Sequence, residues 1–397
     1  MKIAIIGAGS AGIQAACYFL SYTPQEIKTT IIYDPNIPIL GIGESTNPTF
    51  LDTLTRSIDF MIPDQLEYLD ATLKFGTFFS KWRKKDFLNP LFTNHATIHF
   101  NTFKLQEYVL PNLHKKWGNK FEEIKSKVID ITQENDKVTV YLENTTKQEY
   151  DYVMDCRGFP KNFATNEYNL CTELHVNHAL IHNIDGKYDW YHTKHIATPD
   201  GWMFGIPLQS RKSYGYLYND TITTKDDAKT NFSVQIGVPI EKLDNIEYKF
   251  QAYWAKQILN GRIIKNGNNA IFFEPVLANS LTNYYFINQL FLRYITKKIS
   301  AETLQIEFNA FAQETEDLIH YIYHGGSTYD TLFWQIAKEV SKNKLKTSKK
   351  FKEIYSIFFR NKNTYVTNCN WRLGDYSILV YDKNFEYNYF SNNFIIR

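Results

Sequence analysis

The chain holds 397 residues, of which 44% are apolar and 22% charged, with a formal net charge of +2. That length can bury a large core and excludes a disordered or peptide-sized protein, and the balanced charge gives no electrostatic ground for nucleic acid or an anionic membrane as partner. Four cysteines without a CxxC pair, an opening that runs straight into a strand instead of a signal peptide, and no apolar run of the roughly 18 residues that span a bilayer imply a cytoplasmic protein with no disulfide frame.

Residues 2–12 read Lys-Ile-Ala-Ile-Ile-Gly-Ala-Gly-Ser-Ala-Gly, a β-branched strand followed at once by a glycine fingerprint. Gly7 allows the tight turn and Gly9 lets the backbone approach a pyrophosphate. Gly12 permits close packing of the following helix, whose free N–H groups favour an anion. That helix continues through Ile13, Ala16, Cys17 and Leu20, and a second strand over 29–33 ends at Asp34. An acidic side chain there accepts hydrogen bonds from a ribose hydroxyl and disfavours a 2′-phosphate, so FAD or NAD is preferred to NADP. Gly7, Ala8, Gly9, Ser10, Ala11, Gly12 and Asp34 are therefore candidate cofactor-binding residues.

A loop of small residues, Gly41-Ile-Gly-Glu-Ser-Thr-Asn-Pro48, leads into a helix from Thr49. With little side chain intervening, such a loop can lie flat against a planar ligand. From Leu73 to Trp82 the alternation places Lys74, Gly76, Phe78, Ser80 and Trp82 on one face of a strand, with Lys74 among the apolar Leu73, Phe75 and Phe78. A desolvated ammonium is a better donor or nucleophile, whereas a lysine whose stem covers apolar surface while its head reaches water fits the same pattern.

A helical stretch over 104–130 precedes a strand over 137–142, a turn at Asn144-Thr-Thr and a strand over 150–155 ending in Asp155-Cys-Arg-Gly-Phe159. The placement of that last strand predicts that the chain re-enters the nucleotide sheet. Residues 172–220 read as a second sheet rich in Tyr and Trp, 265–275 as another return to the first sheet, and 282–340 as largely helical. The basic run from Lys342 to Lys352 reads as a solvated helix face. His175, His178, His182, His192 and His195 have no acidic or cysteine partner at ligand spacing, so no metal site is expected. Tyr214, Tyr216 and Tyr218, at period two, read as one face of a sheet.

This order of nucleotide fold, excursion, return, aromatic sheet and second return at Gly267-Asn-Asn-Ala resembles the FAD-dependent monooxygenase superfamily. Within it the best match is the flavin-dependent tryptophan halogenase family. The loop Gly43-Glu-Ser-Thr-Asn-Pro48 and the segment Gly201-Trp-Met-Phe-Gly-Ile-Pro-Leu208, corresponding to the WxWxIP signature, carry the resemblance. Asn36-Ile-Pro38, Tyr214-Gly-Tyr-Leu-Tyr218, Phe273-Glu-Pro275 and Asp330-Thr-Leu-Phe-Trp334 extend it from residue 1 to about residue 335.

The resemblance implies an α/β fold in which a Rossmann-like FAD-binding domain, drawn from about 1–80, 100–165 and 260–300, is interleaved with a β-sheet substrate domain over about 170–255 and followed by a short C-terminal helical cap over 336–397. It also implies FAD supplied reduced by a separate flavin reductase, a halide ion, and hypohalous acid carried through a tunnel to a small aromatic substrate. Lys74 matches the lysine that handles the electrophilic halogen, since Trp82 follows it by the family's eight residues. Gly43, Glu44, Ser45 and Thr46 join the cofactor set, the backbones of Asn279 and Ser280 match the halide site, and Trp202 and Phe204 match the barrier between substrate and flavin. A homo-oligomer is left open.

Three departures bear on chemistry. Phe204 stands where the signature has its second tryptophan, and Leu277 where the family has a catalytic glutamate, a group of a kind worth about 10²–10⁴-fold in rate. The chain is also shorter than a typical member in the cap, which implies a more open site for free indoles, phenols or a carrier-bound aromatic. An aromatic monooxygenase and a flavin-binding protein without catalysis are the alternatives on the same scaffold.

Overall fold

The computed structural model describes residues 1–23, 27–41, 44–91, 96–164, 166–244 and 246–349. Helices among the described residues are α1 (Ser10–Tyr22), α2 (Pro48–Ile58), α3 (Thr102–Trp117), α4 (Lys225–Ile236), α5 (Ser280–Ile295), α6 (Ala301–His324) and α7 (Leu332–Thr347). The chain forms two compact units, each assembled from separate segments. The first comprises Met1–Thr72, Thr97–Leu170 and Tyr253–Ala310; the second comprises Leu73–Ala96, Cys171–Ala252 and the described residues from Phe311 onward.

In the first unit six strands lie in the order Leu259–Asn260, Ile263–Lys265, Tyr152–Asp155, Lys2–Ile6, Lys28–Tyr33 and Phe121–Lys125. The central pairs are parallel, with Ile6 opposite both Ile32 and Asp155, so the carboxyl ends of three strands share one edge. Ile3, Ala4, Ile5 and Ile6 are all buried, as expected for a parallel strand covered on both faces. On one side a meander of Val128–Glu134, Lys137–Leu142 and Lys147–Tyr150 packs Val138, Val140 and Leu142 against Ala4, Ile6, Ile32 and Val153. Helix α1, itself packed on α2 and α5, buries most of its length, including Ile13, Ala16, Cys17 and Leu20.

Two expectations for this unit need correction. The helix read over 104–130 stops at Trp117, where Gly118 has φ +52°, and 121–125 and 128–134 are strands. A left-handed glycine at the C-cap ends a helix at little steric expense. The second return to the nucleotide sheet is made by Leu259–Asn260 and Ile263–Lys265, the latter paired in parallel with Val153–Asp155; Ile271–Phe272 instead joins a separate sheet with Tyr253–Ala255 and Tyr168–Leu170.

The second unit is built on seven strands in the order Ile246–Lys249, His178–Asp185, Arg211–Tyr218, Gly201–Pro207, Thr193–Thr198, Gly76–Ser80 and Phe87–Pro90. One face packs Leu180, Met203, Tyr216 and Tyr218 against Ala228 and Phe232 of α4, with Tyr214 at its margin, so the period-two tyrosines do line one sheet face. The other face carries Phe79, His195, Trp202 and Phe204, in register as His195 with Phe79 on one side and with Phe204 on the other.

The alternation read from Leu73 to Trp82 is broken. Thr72–Lys74 and Gly76–Ser80 are separate strands, and Lys81 has φ +63°. That left-handed residue returns Trp82 to the face of Phe79, whose ring lies 5.9 Å away, so Phe79 and not Phe78 is the buried partner. Phe75 is 49% exposed, so its ring is not a closed apolar wall for Lys74. Of the basic run, Lys342 and Lys346 are exposed, but Lys344 pairs with Glu173 at 2.5 Å and faces Glu316 at 3.8 Å. Lys350, Lys352 and the cap beyond residue 349 lie outside the described residues. No helix among the described residues is long and apolar enough to cross a membrane.

Candidate active site

The glycine fingerprint sits at the carboxyl edge of the parallel sheet. Gly7 has φ +103°, and a Cβ there would come within 2.8 Å of the Cys156 carbonyl oxygen, which fixes the turn against the end of the returning strand. A Cβ on Gly12 would lie 1.8 Å from the Gly7 carbonyl, so helix and turn touch backbone to backbone. Gly9, by contrast, has nothing within 4 Å of its Cβ position. It precedes α1 without a side-chain cap, leaving first-turn N–H groups for an outside acceptor. Ala8 and Ala11 are buried, and Ser10 opens the helix. Asp34 follows the strand Lys28–Tyr33, its Oδ1 accepting from the Asn36 backbone N–H at 2.9 Å and the Asn36 side chain at 3.1 Å. Open space beside Gly9, uncapped donors and a carboxylate on the neighbouring strand fit a dinucleotide of the FAD type.

The small-residue loop is held from both ends. Glu44, Ser45, Thr46 and Asn47 are all buried. Thr46 Oγ1 lies 2.6 Å from Thr97 Oγ1, and the Glu44 carbonyl accepts from the Phe100 N–H. Asn47 caps α2, accepting from the Phe50 N–H at 3.0 Å, and donates through Nδ2 to Thr282 of α5 at 2.6 Å. Gly43 lies outside the described residues. Gly267, φ +66°, brings its loop so near Ala11 that a Cβ would be 2.7 Å from the Ala11 methyl, which seats the second return on the start of α1.

Glu274 is buried and opens a single turn of 3-10 helix, Pro275–Leu277. Ala278 then adopts φ +51° and α5 begins at Ser280 with Asn279 as its cap. The Asn279 side chain does not cap the helix, and its buried Nδ2 has no hydrogen-bond partner among the described residues. A spare amide donor beside an uncapped helix start is a donor set suited to a halide.

Lys74 lies in the second unit and is 5% exposed. Its charge acts on His195 of the strand Thr193–Thr198. His195 is buried, its ring 5.1 Å from Phe79 and 4.9 Å from Trp202. Burial, then the positive charge of Lys74, push the imidazole down to about 3, so it is neutral at ordinary pH. Trp202 lies 6.4 Å from both Trp82 and Phe204. Trp334 of α7 packs 5.3 Å from Trp82 and donates its indole N–H to the Thr198 carbonyl at 2.7 Å, fastening α7 to the sheet. Phe204 rests on Gly215 of the adjacent strand, where a Cβ would fall 2.2 Å from its ring.

The histidines are dispersed. His175 Nε2 is 2.8 Å and His320 Nδ1 3.3 Å from Ser341 Oγ, while His182 faces Asp244 at 3.0 Å. Among the described residues no group of His, Cys, Asp and Glu is placed to hold a metal ion.

With this geometry in view, likeness to known proteins becomes decisive. The model of the tryptophan halogenase family matches residues 2–127 and 93–373. The chain belongs to that family. The tryptophan 6-halogenase ThaL of Streptomyces albogriseolus is 21% identical over 85% of this chain and 79% of its own. A tryptophan halogenase of Shewanella frigidimarina superposes with a TM-score of 0.81 at 17% identity, covering 97% of this chain and 89% of that one. Xcc4156, a flavin-dependent halogenase from Xanthomonas campestris, gives a TM-score of 0.76 at 15% identity over 95% and 87%. The mixed α/β fold expected from the sequence is therefore the fold of halogenase structures, with helices following the second sheet.

His195, Phe79 and Gly215 escaped the sequence reading. Gly215 alone carried a signal, since a glycine inside a tyrosine-rich strand marks close approach of another group. His195 was legible only as one of several histidines.

Proposed function

We propose that this chain is an FAD-dependent halogenase that uses reduced FAD, oxygen and halide to halogenate a small indole- or phenol-like aromatic through hypohalous acid, with Lys74 holding the electrophile. The observation that carries the reading is a buried lysine whose charge acts on His195, itself 4.9 Å by ring centroids from the signature Trp202, in a chain of this family. Burying an ammonium is costly, so a buried lysine in a chain of this family is more consistent with chemistry than with solubility.

In this reading the backbone at Gly7, Ala8, Gly9, Ser10, Ala11 and Gly12 receives the pyrophosphate, Asp34 binds the ribose, and Glu44, Ser45 and Thr46 belong to the loop that borders the cofactor. When bound, reduced FAD supplies the electrons with which oxygen is activated to oxidise halide. Asn279 and Ser280 hold the halide through N–H donors at the start of α5. Trp202 and Phe204 keep the aromatic substrate from the flavin, a task that the Phe204 ring meets by bulk. Lys74 donates to hypohalous acid and orients its halogen towards the substrate. The sequence carries a single nucleotide fingerprint, so a separate reductase delivers the reduced cofactor.

The test combines the protein with FAD, a flavin reductase, NADH and bromide or chloride, and screens indoles and phenols by mass. Halide-dependent mass gain is expected, falling by about 10²-fold or more in Lys74→Ala. Equal product from that variant refutes the role of Lys74. Oxygen incorporation without halide identifies the monooxygenase alternative that Phe204 and Leu277 would suit.

A further inference from the structure

Near His195, on which the charge of Lys74 acts, the second unit leaves three buried polar atoms without a hydrogen bond among the described residues: Nε1 of Trp82, Nε1 of Trp202 and Nδ1 of His195. All three side chains are more than nine-tenths buried. They form one group, with His195 4.9 Å from Trp202 and Trp202 6.4 Å from Trp82 by ring centroids. Buried indole N–H and imidazole nitrogen atoms are nearly always paired, because each unsatisfied one costs about 1–3 kcal/mol. Several left over in one place, next to a lysine, mark a space that a small polar molecule completes.

The chemistry of the three atoms narrows what that molecule is. Indole N–H groups only donate, and the Lys74 ammonium only donates, so they favour an oxygen or halogen lone pair. The neutral imidazole differs. Strand pairing of His195 with Phe79 and Phe204 fixes its ring on the same sheet face as Trp202, and its unpartnered Nδ1 can accept a hydrogen. A ligand with one O–H and one electron-rich oxygen satisfies both kinds of group; hypohalous acid is such a ligand, whereas halide alone would leave the acceptor empty.

We propose that His195 is a further catalytic residue, its Nδ1 accepting the O–H of hypohalous acid while Lys74 donates to the same oxygen, so that the halogen is aimed at the aromatic carbon. This rests on the halogenase reading above. The transfer balances without another reagent: the O–X bond breaks, a C–X bond forms, and the oxygen keeps its electron pair and takes the proton lost by the ring carbon, giving water. His195 and Lys74 end in the protonation states in which they began.

Parent, His195→Phe and His195→Gln are compared with FAD, reductase, NADH, bromide and indole, reading bromoindole and hypobromite caught in solution by a dimedone trap in parallel. His195→Phe keeps ring volume without an acceptor and is expected to oxidise bromide within about twofold of the parent while yielding about tenfold less bromoindole, the difference appearing in the trap. His195→Gln, which restores an acceptor, is expected to recover part of the bromoindole. A purely structural role would lower both products together and would overturn the proposal, as would bromoindole from His195→Phe equal to that of the parent. If His195→Phe fails to fold, His195→Gln against His195→Leu makes the same comparison. A parent that binds FAD yet oxidises no bromide overturns the halogenase reading and this inference with it, whereas failure of the histidine alone leaves bromide oxidation intact.

Discussion

Gly7 and Gly9 sit two residues apart and carry different physical burdens. Gly7 combines φ +103° with backbone closing on its missing Cβ, so Gly7→Ala is expected to destabilise the flavin-free protein by about 1–3 kcal/mol, read by chemical denaturation. Gly9 faces open space. Gly9→Ala should therefore melt like the parent while binding FAD about tenfold more weakly, equivalent to about 1.4 kcal/mol, as measured by flavin fluorescence titration. Unchanged affinity in Gly9→Ala would remove the pyrophosphate role. The sequence pattern marks both glycines and does not separate them, because the difference lies in what approaches each one. Lys74 shows the same limit. Its neighbours in sequence, Leu73, Phe75 and Phe78, suggest desolvation, yet Phe75 is half exposed, and the charge of Lys74 acts on His195, 121 residues away in sequence.

The strand Gly201–Pro207 shows how an element becomes specific through its neighbour. Its alternation puts Trp202 and Phe204 on one face and Met203 on the other, against α4. Phe204 can lie flat only because Gly215 on the next strand lacks a side chain. Gly215→Ala is expected to displace the ring and destabilise the protein by about 1–3 kcal/mol. In a Phe204→Ala background the same substitution should be nearly neutral, and a thermodynamic cycle measures the difference. Additive effects would show that ring and glycine are not coupled. The misread element, the helix expected over 104–130, has a comparable cause. Residues 121–134 take their strand conformation from pairing with Lys28–Tyr33 and Lys137–Leu142, partners that local periodicity does not contain.

For the whole molecule, buried neutral histidines give an acid sensitivity. His195 is pushed down to about 3 and His320 to about 4, in both cases chiefly by burial, and His175 well below its ordinary value. A group whose folded pKa is depressed binds its proton more readily when unfolded, so the stability it confers is complete above about pH 6.5 and is lost as pH falls towards the folded value. At pH 5 His320 alone accounts for about 2 kcal/mol of that loss. Glu316 and Asp317, pushed up by burial, act in the opposite sense on acidification. Denaturation between pH 7 and 5 should thus show a steeper loss of stability in the parent than in His320→Gln; parallel curves would exclude the histidine as a source.

Nearby residues alone determined the nucleotide fingerprint, the carboxylate at Asp34, the signature strand and the halogenase family, because each is a short run whose spacing is dictated by backbone geometry or close approach to a ligand. Tertiary structure decided which glycine is a wall and which an opening, and that the charge of Lys74 acts on His195, 121 residues further along the chain. The physical reason is that burial and electrostatic environment belong to chain segments brought together by strand pairing. Such pairing rests on register between distant segments, which local propensity does not encode.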